Sequence, residues 1–283
     1  MRYSTISFLS DFGHADEFVG VVHSVIRSIS PDVTVVDITH GIRPHDVRAG
    51  ALALARSAQY LCPGVVLAVV DPGVGTDRKA LAVEVGDGAS VLVGPDNGLL
   101  SSAVALVGGA TRAVELSNER YQLGRLGTTF DGRDIFAPAA AHLALGVDMA
   151  ELGPAIDASS LMPGLLPVIA IEGDALVIEV LWIDQYGNVQ LNIGPDDLAD
   201  WGDPFSLTIG ERRETIARRR AYRDITTGEV GAVIDSSGLM SLAVNGASAA
   251  EALSIEVGAE LRIERITDGP PRGPSTPVTL GRS

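Results

Sequence analysis

The sequence predicts an α/β fold in which an N-terminal, mostly parallel sheet has helices on both faces and precedes a smaller C-terminal β-barrel domain. In the first half, strand-like apolar runs alternate with runs of helical periodicity. The strands are apolar on both faces, as expected of a sheet covered by helices on both sides. After Gly153 and Pro154, short β-like runs follow at regular intervals, which is typical of a small barrel.

The elements of the first half follow from this alternation. Residues 4–10 form a β-rich run that ends at an acid and a turn, and 16–29 has apolar residues at helical spacing. The remaining predicted elements are a strand at 33–38, a helix at 46–61, strands at 64–70, 81–85 and 91–93, and an alanine-rich helix that follows 128–134 and carries His142.

The second half predicts five short strands, at 175–183, 188–191, 205–209, 231–234 and 260–266. Together these patterns predict four segments. They are an α/β domain over 1–153, a proline-rich linker over 154–167, a β-barrel domain over 168–266 and a Pro/Gly-rich tail over 267–283.

Composition excludes several classes of function. The chain of 283 residues is 46% hydrophobic and 20% charged, as in soluble globular proteins. Its net charge of -15 argues against nucleic acid or an anionic membrane as the main partner. The single cysteine, Cys62, excludes an internal disulfide and any multi-cysteine metal site. The sequence has neither a leader-like start nor an apolar run of about 18 residues, so we expect a cytoplasmic protein.

Four aspartates lie at or near the carboxyl ends of predicted strands: Asp11, Asp37, Asp71 and Asp96. Ligands of open α/β sheets bind beyond these ends. A carboxylate there can hold ribose hydroxyls, ligate a metal or accept a proton. Each aspartate alone could equally be a helix cap or a turn residue. The four together predict a ligand site without defining its chemistry.

The segment 71–78 (DPGVGTDR) is the densest motif of the chain. Gly73 and Gly75 allow the backbone to approach a ligand closely. The segment lacks the third glycine of a dinucleotide fingerprint and the Gly-Lys-Ser/Thr of a P-loop. Arg78 lies seven positions after Asp71 and can fold back to pair with its carboxylate.

The histidines do not predict a metal centre. His14, His40 and His45 fall in loops after the first two strands, but no pair has the i, i+4 spacing of a helical zinc motif. His142 lies within the alanine-rich helix, and we expect it to be packed there. We therefore predict no metal ligands in this chain.

In the second half, residues 183–189 place an acid, an aromatic and an amide close together, namely Asp184, Tyr186 and Asn188. An amide can pair with a purine edge and an aromatic can stack on it, although a β-turn has the same composition. The arginines between 212 and 223 predict an ion-paired surface in so acidic a chain. The residues by themselves predict a nucleoside-like ligand and leave the reaction open.

Six motifs occur in a fixed order: SDFG (10–13), DPGVGTDR (71–78), PDNGL (95–99), TFDGRD (129–134), IDQYGN (183–188) and the segment 236–248. In this order the chain resembles the S-adenosyl-L-methionine (SAM) hydroxide adenosyltransferases, also called SAM hydrolases, which are related to fluorinase and chlorinase. The resemblance covers about residues 4 to 266. It implies an α/β domain, a β-barrel and a homotrimer with SAM between neighbouring subunits, and no cofactor besides the substrate.

The resemblance also implies roles for individual residues. The substrate-binding positions are Asp11 on the ribose hydroxyls, Asp16 on the methionine ammonium, Phe130 near C5′, Asp184 and Ser236 at the amino-acid end, Asn188 on adenine, Tyr186 and Tyr222 around the base, and Asn245 in the segment that reads the adenine edge. Adenosine and L-methionine would be the products.

The implied chemistry is attack of water on C5′, which the sulfonium makes electrophilic. The family uses an Asp–Arg–His set, and Asp71 and Arg78 match its first two members. Halogenating relatives have an aromatic residue and a small residue at these two positions. The third member differs, because Asp131 stands where the family has histidine. Two carboxylates near one water would repel each other, so we predict that Arg78 bridges Asp71 and Asp131.

Three alternatives stay open at this point. The chain could transfer halide, although Asp71 and Arg78 argue against it. It could be a SAM- or adenosine-binding protein with weak or no catalysis because of Asp131. A metal-dependent phosphoesterase, suggested by the aspartates alone, ranks last.

Overall fold

The fold was analysed in a computed structural model that describes residues 2–124, 127–164 and 167–266. The chain divides into two compact units, Met1–Leu166 and Pro167–Ser283. Each unit is treated by itself below. Residues 267–283, which the sequence predicts as a tail, lie outside the described residues.

The first unit contains the predicted strands and helices in the predicted order, together with one helix, Ser101–Leu106, and two strands, Ala110–Glu115 and Ala155–Ile156, that were not predicted. Its elements are β1 (Thr5–Ser10), α1 (Phe18–Ile29), β2 (Thr34–Thr39), α2 (Val47–Ala58), β3 (Val65–Val69), β4 (Ala80–Val85), β5 (Ser90–Pro95), α3 (Ser101–Leu106), β6 (Ala110–Glu115), α4 (Ala137–Leu145) and β7 (Ala155–Ile156). One π-helical turn, Gly132–Phe136, leads directly into α4. The short strand β7 lies in the segment predicted as a linker and pairs with β6.

These strands form one mixed sheet in the order β2-β1-β3-β5-β4-β6-β7. Pairing is parallel from β2 to β5 and antiparallel from β5 to β7. The antiparallel part begins where β4 and β5 are joined by only four residues, 86–89, which is too short for a parallel crossover. The predicted α/β class is confirmed.

Strand β3 shows why both faces of the sheet are covered. Its alternate residues Val65, Leu67 and Val69 belong to the core that includes α1 and α4. Val66 and Ala68 belong to the core on the other face, with residues of α2 and α3. Because side chains alternate along a strand, a strand buried on both faces must be apolar throughout.

The described residues of the second unit form a closed barrel with one α-helix of five residues. Its elements are β8 (Ala170–Glu172), β9 (Ala175–Ile183), β10 (Val189–Leu191), β11 (Phe205–Ile209), β12 (Arg212–Arg218), β13 (Val230–Ile234), β14 (Met240–Val244), α5 (Ala249–Leu253) and β15 (Glu260–Arg265). The strand order β10-β14-β13-β12-β11-β15-β9 is closed by pairing of β9 with β10. Strand β8 pairs with the outer side of β9. The predicted barrel is confirmed.

The parallel part of the sheet positions the candidate site. Strands β1, β3 and β5 run side by side in one direction, so their carboxyl ends meet at one edge. Asp11 follows β1, Asp71 lies just beyond β3 and Asp96 follows β5. Among the described residues, no helix is both long enough and apolar enough to cross a bilayer.

Candidate active site

Arg78 connects two carboxylates that are far apart in sequence. Its Nε donates to Asp71 Oδ1 at 2.8 Å and to Asp71 Oδ2 at 3.0 Å, and its Nη2 also donates to Asp71 Oδ2. The same Nη2 donates to Asp131 Oδ2 at 2.6 Å. The predicted bridge is confirmed. Below, these three residues are called the Asp–Arg–Asp cluster.

The loop after β3 folds so that Arg78 can turn back over Asp71. A Cβ on Gly73 would lie 3.1 Å from Arg78 Cγ, so the glycine makes room for the arginine stem. Gly75 has a φ of +78°, and a Cβ there would lie 2.9 Å from the Thr128 carbonyl oxygen. Both glycines of the motif are therefore required by packing and backbone conformation.

Asp131 is placed by the turn that begins α4. It directly precedes the π-helical turn, and a Cβ on the next residue, Gly132, would lie 2.9 Å from Phe12 Cζ and 3.2 Å from Phe130 Cε2. The absence of a side chain at Gly132 allows these two rings to approach Asp131. A larger residue at position 132 would displace the rings or the turn.

The Asp–Arg–Asp cluster is nearly buried, with side-chain exposures of 6% for Asp71, 11% for Arg78 and 8% for Asp131. Burial lowers the pKa of the Arg78 guanidinium, but the hydrogen bonds and charges of Asp71 and Asp131 outweigh burial and raise it overall. The guanidinium carbon also lies 5.2 Å from the centre of the Phe136 ring. The cluster therefore holds a fixed positive charge between two acids, with a formal net charge of about -1.

A cleft of about 310 Å³ opens beside this cluster. Five residues that the sequence analysis assigned to the site line it: Asp11, Asp16, Asp71, Phe130 and Asp131. Asp11 is held by the His45 backbone N–H, which donates to its Oδ2 at 2.8 Å. His45 has a φ of +69°, which is uncommon for a residue other than glycine. It makes the contact with Asp11 in this conformation.

An aromatic wall that the sequence analysis did not predict completes the cleft. Phe12 and Phe18 also line it, and their ring centres lie 5.6 and 5.0 Å from that of Phe130 in edge-on arrangements. The signal was present in the sequence, because Phe12 follows Asp11 directly and Phe18 begins α1. The cleft thus combines acids with an apolar wall, as ligand sites usually do.

The predicted residues of the second unit gather around a turn. Asp184 Oδ1 accepts the N–H groups of Tyr186 and Asn188, each at 2.9 Å, and Asp184 Oδ2 accepts Asn188 Nδ2 at 2.8 Å. Tyr186 and Tyr222 are exposed. Burial and the charges of Asp184 and Asp235 raise the pKa of Tyr222.

Ser236 and Asn245 lie on two other turns of the barrel. Ser236 is exposed and follows Asp235, whose carboxylate accepts the Ser237 N–H and the Ser241 hydroxyl, each at 2.8 Å. Asn245 is exposed, and its Nδ2 donates to the Ile225 carbonyl at 3.3 Å. Asp235 was not predicted, and it shapes the turn that presents Ser236.

Three other expectations have structural outcomes. His142 packs edge-on against Tyr121 with ring centres 5.0 Å apart, as predicted. The arginine-rich stretch is ion-paired, with Arg213 Nη2 3.2 Å from Glu264 Oε2, as predicted. Asp96 accepts the Met162 N–H at 2.8 Å and so anchors a loop.

Comparison with known proteins agrees with this arrangement. The model of the SAM hydroxide adenosyltransferase N-terminal domain matches residues 6–153, and that of the C-terminal domain matches residues 178–262. The (R)-S-adenosyl-L-methionine hydrolase of Salinispora tropica is 44% identical over 258 residues, which are 91% of this chain and 97% of that protein.

More distant relatives share the whole architecture. A fluorinase of Actinopolyspora mzabensis is 27% identical over 290 residues, covering 92% of this chain and 97% of that protein. A crystal structure of an uncharacterized conserved protein from Thermotoga maritima has a TM-score of 0.85 at 34% identity and covers 92% of this chain and all of the other. The chain therefore belongs to the SAM hydroxide adenosyltransferase family.

Proposed function

We propose that this protein hydrolyses SAM to adenosine and L-methionine by in-line attack of an activated water on C5′. The family membership and the name of the Salinispora hydrolase, which matches nearly the full length of both chains, support the proposal. The observation that supports it most directly is the Asp–Arg–Asp cluster beside the acid-lined cleft.

The charge of the cleft favours a cationic ligand and disfavours an anionic nucleophile. Four aspartates line it, and two of them, Asp71 and Asp131, accept hydrogen bonds from Arg78. SAM has a positive sulfonium next to the reacting carbon, which such a site attracts. A halide ion would have to approach the Asp71 carboxylate, which repels it. Water is neutral, so the carboxylate does not repel it.

The reaction needs a water positioned in line with the C5′–S bond and a group that accepts the proton of that water. The water oxygen forms a bond to C5′ as the C5′–S bond breaks, and the electron pair goes to sulfur, so that methionine leaves as a neutral thioether. The proton lost by the water passes to a carboxylate, for which we propose Asp71 with Asp131 beside it. Free water has a pKa of about 15.7, so this acceptance is required as attack proceeds. Arg78 keeps both carboxylates in place.

The remaining roles are proposed from the resemblance, and three of the residues concerned line the cleft. Asp11 would hold the ribose hydroxyls and Asp16 the methionine ammonium, with Phe130 near C5′. In the barrel unit the proposed substrate contacts are Asp184, Tyr186, Asn188, Tyr222, Ser236 and Asn245. We further propose a homotrimer in which the barrel unit of one subunit completes the cleft of its neighbour, and a cytoplasmic, metal-independent enzyme.

The proposal is tested by product analysis. Purified protein is incubated with the separated sulfonium epimers of SAM in halide-free buffer containing a chelator, and products are resolved by chromatography with mass detection. We expect equal amounts of adenosine and methionine. Parallel reactions in chloride and fluoride should give no 5′-halo-5′-deoxyadenosine. Formation of a halogenated nucleoside would favour the halide alternative, and tight SAM binding without product would favour the binding protein.

Subunit complementation tests the shared site. Asp71→Asn disables the α/β unit and Asn188→Ala disables the barrel unit, so each homotrimer should have low activity. After the two variants are unfolded and refolded together, mixed trimers would contain some sites without either substitution, and activity should recover. Light scattering gives the mass of the assembly. A monomeric mass, or no recovery in mixtures shown to contain both chains, would contradict a shared site.

A further inference from the structure

A second cluster of polar side chains lies outside the cleft, where α1 faces β2. His23 of α1, Asp37 of β2 and His40, just after β2, each offer one ligand atom, and these atoms lie within 4.8 Å of one another. His23 Nε2 is 2.9 Å from Asp37 Oδ1, and His40 Nε2 is 3.1 Å from the same oxygen. This group is called the His–Asp–His cluster below.

His40 is the unusual member of the cluster. Its side chain is fully buried, and its Nε2 has no hydrogen-bond partner within the described residues even though the Asp37 oxygen is close. The short distance without hydrogen-bond geometry means that the ring nitrogen does not point directly at that oxygen. Asp37 gives this buried nitrogen an ion-pair contact but no well-aligned hydrogen bond, so the nitrogen can take a further partner such as an ion.

The distances fit a small divalent ion. Imidazole nitrogen and carboxylate oxygen bind Zn²⁺ at about 2.0–2.1 Å in tetrahedral geometry, which separates ligand atoms by about 3.3 Å. The two separations from Asp37 Oδ1, 2.9 and 3.1 Å, lie within a few tenths of an ångström of this value, so small side-chain movements would admit the ion. Asp37 is 39% exposed, so a water can supply a fourth ligand.

The surroundings also match a metal-binding histidine. A ligating imidazole usually donates its other ring N–H to an oxygen, which fixes the orientation of the ring. His40 Nδ1 lies 2.7 Å from Ser10 Oγ, which also accepts the Phe12 N–H at 3.3 Å. A hydroxyl oxygen can accept two such bonds. The His40 carbonyl further accepts the Gly13 N–H at 2.8 Å, so the cluster is connected to the loop that holds Asp11.

From this geometry we propose that His23 Nε2, Asp37 Oδ1 and His40 Nε2 form a binding site for one divalent transition-metal ion of the Zn²⁺ type, with water as a fourth ligand. The sequence analysis expected no metal, because the three ligands come from a helix, a strand and a loop without a recognisable spacing. The ion would stiffen the loop after β1 and take no part in water attack. The proposal does not depend on the enzymatic activity.

Metal affinity tests the site directly. Full-length protein is freed of metal by chelation and titrated with Zn²⁺ in competition with a chromogenic chelator, and with Co²⁺ while its visible absorption is recorded. We expect one Zn²⁺ per chain and a tetrahedral Co²⁺ spectrum. His23→Ala and Asp37→Asn should each weaken Zn²⁺ binding by at least about tenfold. Ser10→Ala should weaken it by about 10–100-fold, because it removes the hydrogen bond between Ser10 Oγ and His40 Nδ1 that orients the ring.

His142→Ala is the matched control, because it removes a histidine that packs on Tyr121 in a different part of the same unit. It should bind Zn²⁺ as the unmodified chain does, and circular dichroism should show that every variant is folded. Zn²⁺ binding that is equally tight in folded His23→Ala would overturn the proposal. So would a chain that binds no Zn²⁺ at micromolar concentrations.

Discussion

Arg78 Nη2 lies 2.6 Å from Oδ2 of Asp131, a residue 53 positions further along the chain. Through this contact, Asp131 is held by the same guanidinium as Asp71. The resemblance implies histidine at position 131, and in its place this chain has an acid that Arg78 can neutralise. The predictions below follow from this arrangement.

Asp71→Asn should remove the main proton acceptor while keeping the shape of the side chain. We expect kcat to fall by about 10²- to 10⁴-fold, the range of a lost general base, with a much smaller change in KM. Asp77→Asn, in the same loop but exposed, is the control and should retain activity. An Asp71→Asn enzyme with near-normal kcat would remove Asp71 from the reaction.

Asp131→Ala should lower kcat by about tenfold or more, because Arg78 then loses one of its two acidic partners and is less well positioned. Asp131→His restores the residue typical of the family and should retain turnover. Steady-state kinetics with SAM compare the two variants. If Asp131→Ala turns over as fast as the unmodified enzyme, Asp131 has no part in catalysis.

Arg78→Met should destabilise the fold, because it leaves two nearly buried carboxylates without their cation. Removing one partner of a buried ion pair costs about 3–5 kcal/mol, and urea unfolding measures this loss. The double variant Asp71→Asn/Arg78→Met should be more stable than Arg78→Met alone, because one of the two charges is gone. A double variant that is equally unstable would show that carboxylate repulsion is not the cause.

Glu84 should make stability depend on pH. The hydrogen bond from Arg112 lowers the pKa of the buried Glu84 carboxyl below its ordinary value of 4.5, against the opposing effect of burial, and Thr111 adds to the lowering. A carboxyl with a lower pKa in the folded state adds stability above about pH 4.5, and this is lost as pH falls through the folded value. The advantage of the unmodified protein over Glu84→Gln should therefore shrink toward pH 3.

Urea unfolding of both proteins between pH 3 and pH 7 checks this prediction, with Arg112→Met as the control. In the Arg112→Met background, the effect of Glu84→Gln on the free energy of unfolding should depend less on pH. The reason is that Arg112, the largest cause of the lowered Glu84 pKa, is absent. A constant difference across the whole range would contradict the assigned role of the pair.

The strands that the sequence predicts best are those with continuous apolar runs between turn residues. The predicted ranges 175–183 and 205–209 coincide with β9 and β11, and 4–10 and 64–70 each differ from β1 and β3 by one residue per end or less. Such runs are buried on one or both faces, so that local pattern and tertiary environment agree.

Several of the elements that escaped prediction are polar or short, whereas β14 (MSLAV) is fully buried and as long as the predicted β11. Strand β12 has the sequence RRETIAR. Its first two arginines are exposed, and Arg213 forms an ion pair with Glu264 of β15, so no apolar alternation marks the strand. Strand β6, ATRAVE, has two exposed positions beside its buried ones. These strands exist because partners on both sides complete their hydrogen bonds, which a linear pattern does not reveal.

The candidate site was predictable in part for a related reason. Asp71 and Arg78 share one loop, and their spacing indicates the pair. Asp131 lies 53 residues after Arg78 and accepts a hydrogen bond from it. The order of the motifs, and the need for a cation between two neighbouring carboxylates, predicted this contact. The His–Asp–His cluster was not predictable, because His23 belongs to an ordinary amphipathic helix and meets its partners only when α1 packs beside β2.

The central claim is that water attacks C5′ beside the Asp–Arg–Asp cluster, and isotope labelling tests it most directly. SAM is incubated with the protein in a chelator-containing, halide-free buffer made with ¹⁸O-water, and the products are analysed by mass spectrometry. We predict adenosine with ¹⁸O at its 5′ oxygen and unlabelled methionine, at a rate that falls sharply in Asp71→Asn. Unlabelled adenosine, or unchanged SAM with folded protein that binds it, would contradict the account.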